Sequence, residues 1–182
     1  MTRLVISLLA SVPDRERDDA LDDADRRLRA ILTSNPRDAE AHALLGSVYG
    51  AQIRRSPLKA VLFGHRVSGA LDRAAELSPG NPRVALQQGI SAFNTPAMFG
   101  GGLDTAEGAL RRSLDLFAGE PADHPWPNWG RVDTHAWLGQ ALWRKGDRAG
   151  ARAQYDEALA IAPESRWVRH ILMPALDRAV SP

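Results

Sequence analysis

The feature that most restricts this chain is a spacing of small and large residues near its C-terminal end. Between 132 and 165 stand Leu138, Gly139 and Leu142, followed by Ala151, Tyr155, Ala158 and Pro163. Such a pattern demands two helices packed antiparallel. Small residues at 139 and 151 let the backbones approach, large ones at 142 and 155 fill the gap, and proline, which lacks an N–H and clashes with the preceding turn, ends the second helix. Strand formers are sparse elsewhere, while Ala, Leu, Arg, Asp and Glu recur at helical intervals along most of the chain. The expected fold class is all-α.

The same spacing returns upstream. Leu45, Gly46 and Tyr49 repeat the opening, and Ala24, Leu28 and Pro36 repeat the close of the unit before it. Asn81-Pro82 reads as an N-cap followed by a first-turn proline, with Gly89 taking the place of Gly46 and Gly139. In a frame of about 34 residues these positions fall into register. Here the sequence resembles the tetratricopeptide repeat (TPR) family, with His135 where that family usually has tryptophan. The resemblance implies an α-α superhelix, a TPR-like solenoid of three to four helix pairs with a C-terminal capping helix. The organisation expected from it is one domain over 1–182, with repeats at about 5–38, 39–81, 82–117 and 132–165 and a cap at 166–180. The segments NTPAMFGGG, NWG and WVRHILMP together resemble a subgroup of bacterial TPR-containing proteins that are often exported.

Two repeats are longer than the minimal unit. Gly139 and Ala151 are 12 residues apart, whereas Gly46 and Val67 are 21 apart and Gly89 and Ala106 are 17 apart. The excess predicts loops between the two helices of each repeat, at 52–66 and 94–102, lying side by side if the repeats stack. A third long connection spans 118–131. Long connections in a compact protein are disproportionately functional. Within 94–102, Met98 and Phe99 are apolar beside three successive glycines; Phe99 either plugs the gap between repeats or meets a partner. Trp126 and Trp129, in a proline-rich stretch, either pack on the final repeat or contribute to binding.

Local signals complete the reading. Asp104 and Glu107 have the spacing of a capping box ahead of Leu110, Leu114 and Phe117. Asp22 with Arg26 and Asp23 with Arg27 have ion-pair spacing on a helix expected over 18–33. In the cap, Trp167, Ile171 and Leu172 read as the apolar face.

Composition narrows the function. The chain has no cysteine and a formal net charge of +1, so thiolate sites are excluded and no strong field favours nucleic acid. The histidines show neither HxxxH nor HExxH spacing, no GxSxG occurs, and no apolar run reaches the roughly 20 residues that span a bilayer. No catalytic residue, metal site or cofactor is expected.

The function implied is a scaffold for a protein or peptide partner, not an enzyme. Its groove would be lined by Glu40, Ser47, Arg83, Ile90, Phe93, Asn94, Asp133, Gln140, Trp143 and Arg144. Met98, Phe99, Trp126 and Trp129 would join from the connections. Family members that clamp a peptide carboxylate use lysine and asparagine at positions held here by Ala43 and Ser47, Leu86 and Ile90, and Ala136 and Gln140, so that clamp is absent. The alternative is a binder of a small apolar ligand, lined by Phe93, Met98, Phe99 and Trp143, as in an exported or transporter-associated helical component. The compartment stays open: cytoplasmic by default on the chain as given, exported if a signal sequence stands upstream. Thr2-Arg3 and the apolar run Leu4–Ala10 faintly resemble such a signal, the other reading being the apolar face of a first helix.

Overall fold

The computed structural model describes residues 14–53, 57–120 and 129–178. These divide into two compact units at Pro79/Gly80. The first unit holds α1 (Asp14–Ser34), α2 (Ala39–Ile53) and α3 (Pro57–Leu77). The second holds α4 (Pro82–Asn94), a 3-10 turn (Ala97–Phe99), α5 (Leu103–Ala118), α6 (Arg131–Arg144) and α7 (Arg148–Ile161). A π-helical turn (Val168–Leu172) then runs into α8 (Met173–Arg178). No strand occurs among the described residues. The all-α expectation is borne out; the apolar run Leu4–Ala10, read as the face of a first helix, lies outside the described residues.

The helix ends are set by a few side chains. Pro36, Pro79 and Pro163 stand just past the ends of α1, α3 and α7, where a missing N–H and a fixed φ stop the helix. The next helix then starts on a side-chain acceptor. Asp38 receives the Ala41 N–H at 2.9 Å, and Asn81 receives those of Arg83 and Val84 at 2.8 and 3.4 Å, with Pro82 in the first turn. Asp147 does the same for α7, accepting from the Gly150 N–H at 2.8 Å.

Three glycines set the helix pairs. In the first unit a methyl group on Gly46 would stand 3.0 Å from the Leu71 side chain and 3.4 Å from the Val67 carbonyl. In the second, one on Gly89 would stand 2.6 Å from Leu110 and 3.4 Å from the Ala106 carbonyl. One on Gly139 would stand 2.4 Å from the Tyr155 ring and 3.1 Å from the Ala151 carbonyl. These are the same two frame positions each time, although the residues between them number differently. The extra length is therefore taken up beyond the contact, which keeps its register.

How it is taken up differs from expectation at the first joint. The segment 52–66 is not a loop: α2 runs to Ile53, α3 begins at Pro57, and only 54–56 lie outside the described residues. Pro57 stands at a helix start, where proline is tolerated, and LKAVLFGHR holds no further proline and a single glycine, too little to end the helix after it. At the second joint the chain does leave the helix, since Asn94, Pro96 and three glycines interrupt it.

The second unit is sealed by full burial of Leu86, Leu110, Leu138 and Tyr155, side chains worth roughly 1.5–3 kcal/mol each when removed from water. A buried hydroxyl relay fixes three helices together: Ser113 donates to the Pro82 carbonyl at 2.8 Å, lies 3.1 Å from Thr134, and Thr134 donates to the Gly130 carbonyl at 2.8 Å. Satisfied inside the core, such bonds specify one arrangement.

Three local expectations are corrected. Asp104 and Glu107 form no capping box, because the helix starts earlier, on Gly102 at a positive φ of 101°. Asp22 does not pair with Arg26; Asp23 holds both Arg26 (2.8 Å) and Arg27 (2.6 Å), leaving Asp22 to accept from Gln52 at 3.3 Å. In the cap the buried residues are Val168, Leu172 and Leu176, while Ile171 is 45% exposed. The reason lies in Pro174, which has no N–H to give. The helix widens just before it, the Met173 N–H reaching back to the Val168 carbonyl, and this rotates the apolar face by about one residue. Arg148 donates to the Leu176 carbonyl and Arg152 to the Asp177 carboxylate at 2.9 Å, fastening the cap to α7.

Candidate functional site

Within the second unit, α4 and α6 are the first helices of successive pairs, and the cap follows α7 as the next. Their neighbouring faces carry a run of aromatic rings. Phe93 of α4 meets Trp137 of α6 edge-on at 5.2 Å between centroids, and Trp137 meets Trp167 of the cap at 5.6 Å. Both spacings suit the edge-to-face geometry that aromatic quadrupoles favour. Trp137 is buried, whereas Phe93 and Trp167 at the two ends stay half-buried. The Arg144 guanidinium lies over the Phe93 ring at 5.1 Å, so the strip ends in an exposed cation.

Gln140 belongs to the same surface. Trp137, Gln140 and Arg144 stand at i, i+3 and i+7 of α6 and so share one stripe. Gln140 is half-buried, and its amide nitrogen is buried with no hydrogen-bond partner among the described residues. Trp143 is also half-buried, with no ring contact among the described residues.

Other expected contact residues are placed differently. Arg83 is 3% exposed and faces inward: it pairs with Glu120 at 2.5 Å and lies over the rings of Phe117 (5.3 Å) and Trp129 (6.0 Å). It fastens the start of α4 to the end of α5 and to the Trp129 segment. Asn94 is exposed but donates its amide to the Ile90 carbonyl at 2.7 Å. Trp126 lies outside the described residues.

Met98 and Phe99 stand in the open, 82% and 66% exposed. Phe99 therefore does not plug a gap between repeats. The glycines behind them form a turn closed on itself. The Gly100 N–H donates to the Ala97 carbonyl (3.0 Å), that of Gly101 to Pro96 (3.2 Å), and that of Gly102 to Ala92 and Thr95 (2.9 and 2.8 Å). With those donors engaged internally, the glycine run is no phosphate cradle.

Electrostatics beside the strip are internal. The Lys145 ammonium pairs with Asp104 (2.5 Å) and Glu107 (2.6 Å), holding α5 to the end of α6. Hydrogen bonds from Lys145 and then Arg111 hold the Glu107 carboxyl below the ordinary range, and those to Asp104 and Glu107 raise Lys145. Burial pushes the Tyr155 phenol well above its usual value; its hydroxyl has no partner among the described residues, which suits a packing role against Gly139. Among the described residues no group of three or more His, Asp or Glu is placed to hold a metal ion.

Sequence reasoning missed Trp137 and Trp167 as members of the strip, and Glu120 and Lys145 as ion-pair partners. A signal existed for Trp137, since it shares the helical stripe of Gln140 and Arg144.

The tetratricopeptide repeat model matches residues 132–165. Those residues are a tetratricopeptide repeat. The rest of the fold agrees with that of TPR proteins of known structure. A thermophilic TPR protein from Thermus thermophilus is similar with a TM-score of 0.66 at 21% identity, over 89% of this chain and 76% of that one. MamA is similar with a TM-score of 0.50 at 18% identity, over 82% and 74%. No curated protein matches the chain. TPR folds serve in general as scaffolds for protein–protein interaction, and at these identities the likeness is one of fold. No helix among the described residues is long and apolar enough to cross a membrane.

Proposed function

We propose that this TPR chain is a non-enzymatic scaffold that binds a peptide segment of a partner protein along the strip formed by α4, α6 and the cap. The observation that carries the reading is the Phe93–Trp137–Trp167 run with Arg144 over its end, half-open on the first helices of the pairs. A core needs large apolar side chains, but it does not need an exposed arginine lying over a half-buried ring or a glutamine amide left without a partner beside it. Aromatic and arginine residues together are the composition that concentrates binding energy at protein interfaces.

The experiment is selection of a displayed random peptide library on the immobilised chain, followed by affinity measurement for the enriched peptides. Gln140→Ala should weaken them about tenfold, roughly 1.4 kcal/mol, while the melting temperature holds. Failure to enrich any peptide would sink the reading. Enriched peptides that bind Gln140→Ala normally but lose affinity on Met98→Ala would move the contact to the glycine turn.

A further inference from the structure

Resting on that peptide-binding reading, we infer that the strip selects an internal segment in which an acidic side chain adjoins an apolar one, the carboxylate meeting Arg144 and the apolar group lying against Phe93. The two adjacent cations at the end of α6 make the case. Lys145 is fully engaged, with Asp104 at 2.5 Å and Glu107 at 2.6 Å. Arg144 is exposed, has no carboxylate partner among the described residues, and holds its guanidinium carbon 5.1 Å from the centroid of the Phe93 ring.

A cation–ring contact leaves the guanidinium N–H donors without an acceptor, and those donors match a carboxylate in bidentate fashion. The contact with the ring restrains the side chain, so less of its freedom is lost when the carboxylate arrives. The half-buried ring of Phe93 beneath it offers apolar surface for the neighbouring side chain, and the strip continues from there through Trp137 to Trp167. Gln140, one turn back on the same stripe, has an amide nitrogen with no acceptor. A partner carbonyl within reach of that nitrogen would supply the missing acceptor. The recognised group is a side-chain carboxylate within a segment rather than a chain terminus, because the positions that hold a terminal carboxylate in clamp-type repeats are Ala136 and Gln140 here.

The test uses the full chain and three displayed libraries of capped peptides, with no free terminal carboxylate. Their centres are fixed as Asp-Leu, Gln-Leu or Lys-Leu and their flanks are randomised. The wild type should enrich the Asp-Leu library and bind its peptides about tenfold tighter than their Gln-Leu counterparts. Arg144→Gln should abolish that preference, and Arg144→Glu should transfer it to Lys-Leu, both with unchanged melting. Should Arg144→Glu fold poorly, Arg144→Gln, which keeps a planar group over Phe93, still decides the matter. Equal binding of the Asp-Leu and Gln-Leu sets, or a preference that survives Arg144→Gln, overturns the inference and leaves the scaffold reading standing. Enrichment of none of the three libraries removes both.

Discussion

The two stretched joints carry the same sequence signature and are built in opposite ways. Between Gly46 and Val67 the additional residues continue as helix, so that α3 reaches 21 residues. Between Gly89 and Ala106 they form a short 3-10 turn and a knot of glycines with its own hydrogen bonds. In both, the glycine of the first helix still meets the backbone and large side chain of the second, as it does at Gly139 in the minimal repeat. Close approach of two backbones fixes the register of a helix pair, and spare residues are placed wherever their own chemistry sends them. LKAVLFGHR holds one glycine and no proline and becomes helix; TPAMFGGG holds a proline and three successive glycines and becomes a turn.

The glycine turn is most sensitive to an added side chain at Gly101. A methyl group there would fall 2.1 Å from the Thr95 carbonyl oxygen, a contact with backbone that no side-chain rotation relieves. Gly101→Ala should therefore cost about 3 kcal/mol, the upper end of overpacking penalties, read as a fall in the denaturation midpoint. A variant as stable as the wild type would show that the turn is not the tight structure described.

The helical joint predicts a change of opposite sign. Gly64 lies within α3, and a methyl group added to it meets nothing within 4 Å. Gly64→Ala should stabilise the chain by about 0.8–1 kcal/mol, the difference in helix propensity between the two residues. If 57–66 were a loop, the substitution would bring no such gain, and denaturant melts of the two proteins would superimpose.

The fold was legible because its determinants are local and discrete. Gly139, Tyr155 and Pro163 at that spacing suit a close helix pair and little else, and Asn81-Pro82 announces a helix start that the structure reproduces at 2.8 Å. What escaped was set by choices between equally local alternatives or by distant partners. Residues 52–66 resemble a loop because spacing counts residues without saying which of them are helical. Asp104 and Glu107 satisfy the capping pattern, yet Lys145, 38 residues beyond Glu107, claims both. Ile171 is displaced from the buried face by Pro174, whose missing N–H is visible in sequence but whose remedy, one widened turn, is not. The candidate site was legible only in part. Phe93, Gln140 and Arg144 follow from the helical frame, but the inward turn of Arg83 depends on Glu120 at the end of another helix, which no period predicts.

The smallest expected effect is at the tip of the glycine turn, and it separates turn from core most directly. Phe99 is 66% exposed and enters no ring contact among the described residues, so its truncation removes little packed surface and leaves no cavity. Phe99→Ala should change stability by no more than about 0.5 kcal/mol, as surface substitutions do, against about 3–5 kcal/mol for a buried aromatic ring. The glycines that hold the turn would then be the sensitive positions and the aromatic residue they display the tolerant one, a division that no core segment shows. Thermal or denaturant melts of Phe99→Ala and Gly101→Ala in one buffer test both halves together. Equal losses in the two variants would mean that the ring and the glycines belong to one packed unit, and the contrast between the two joints would reduce to a difference in backbone shape alone.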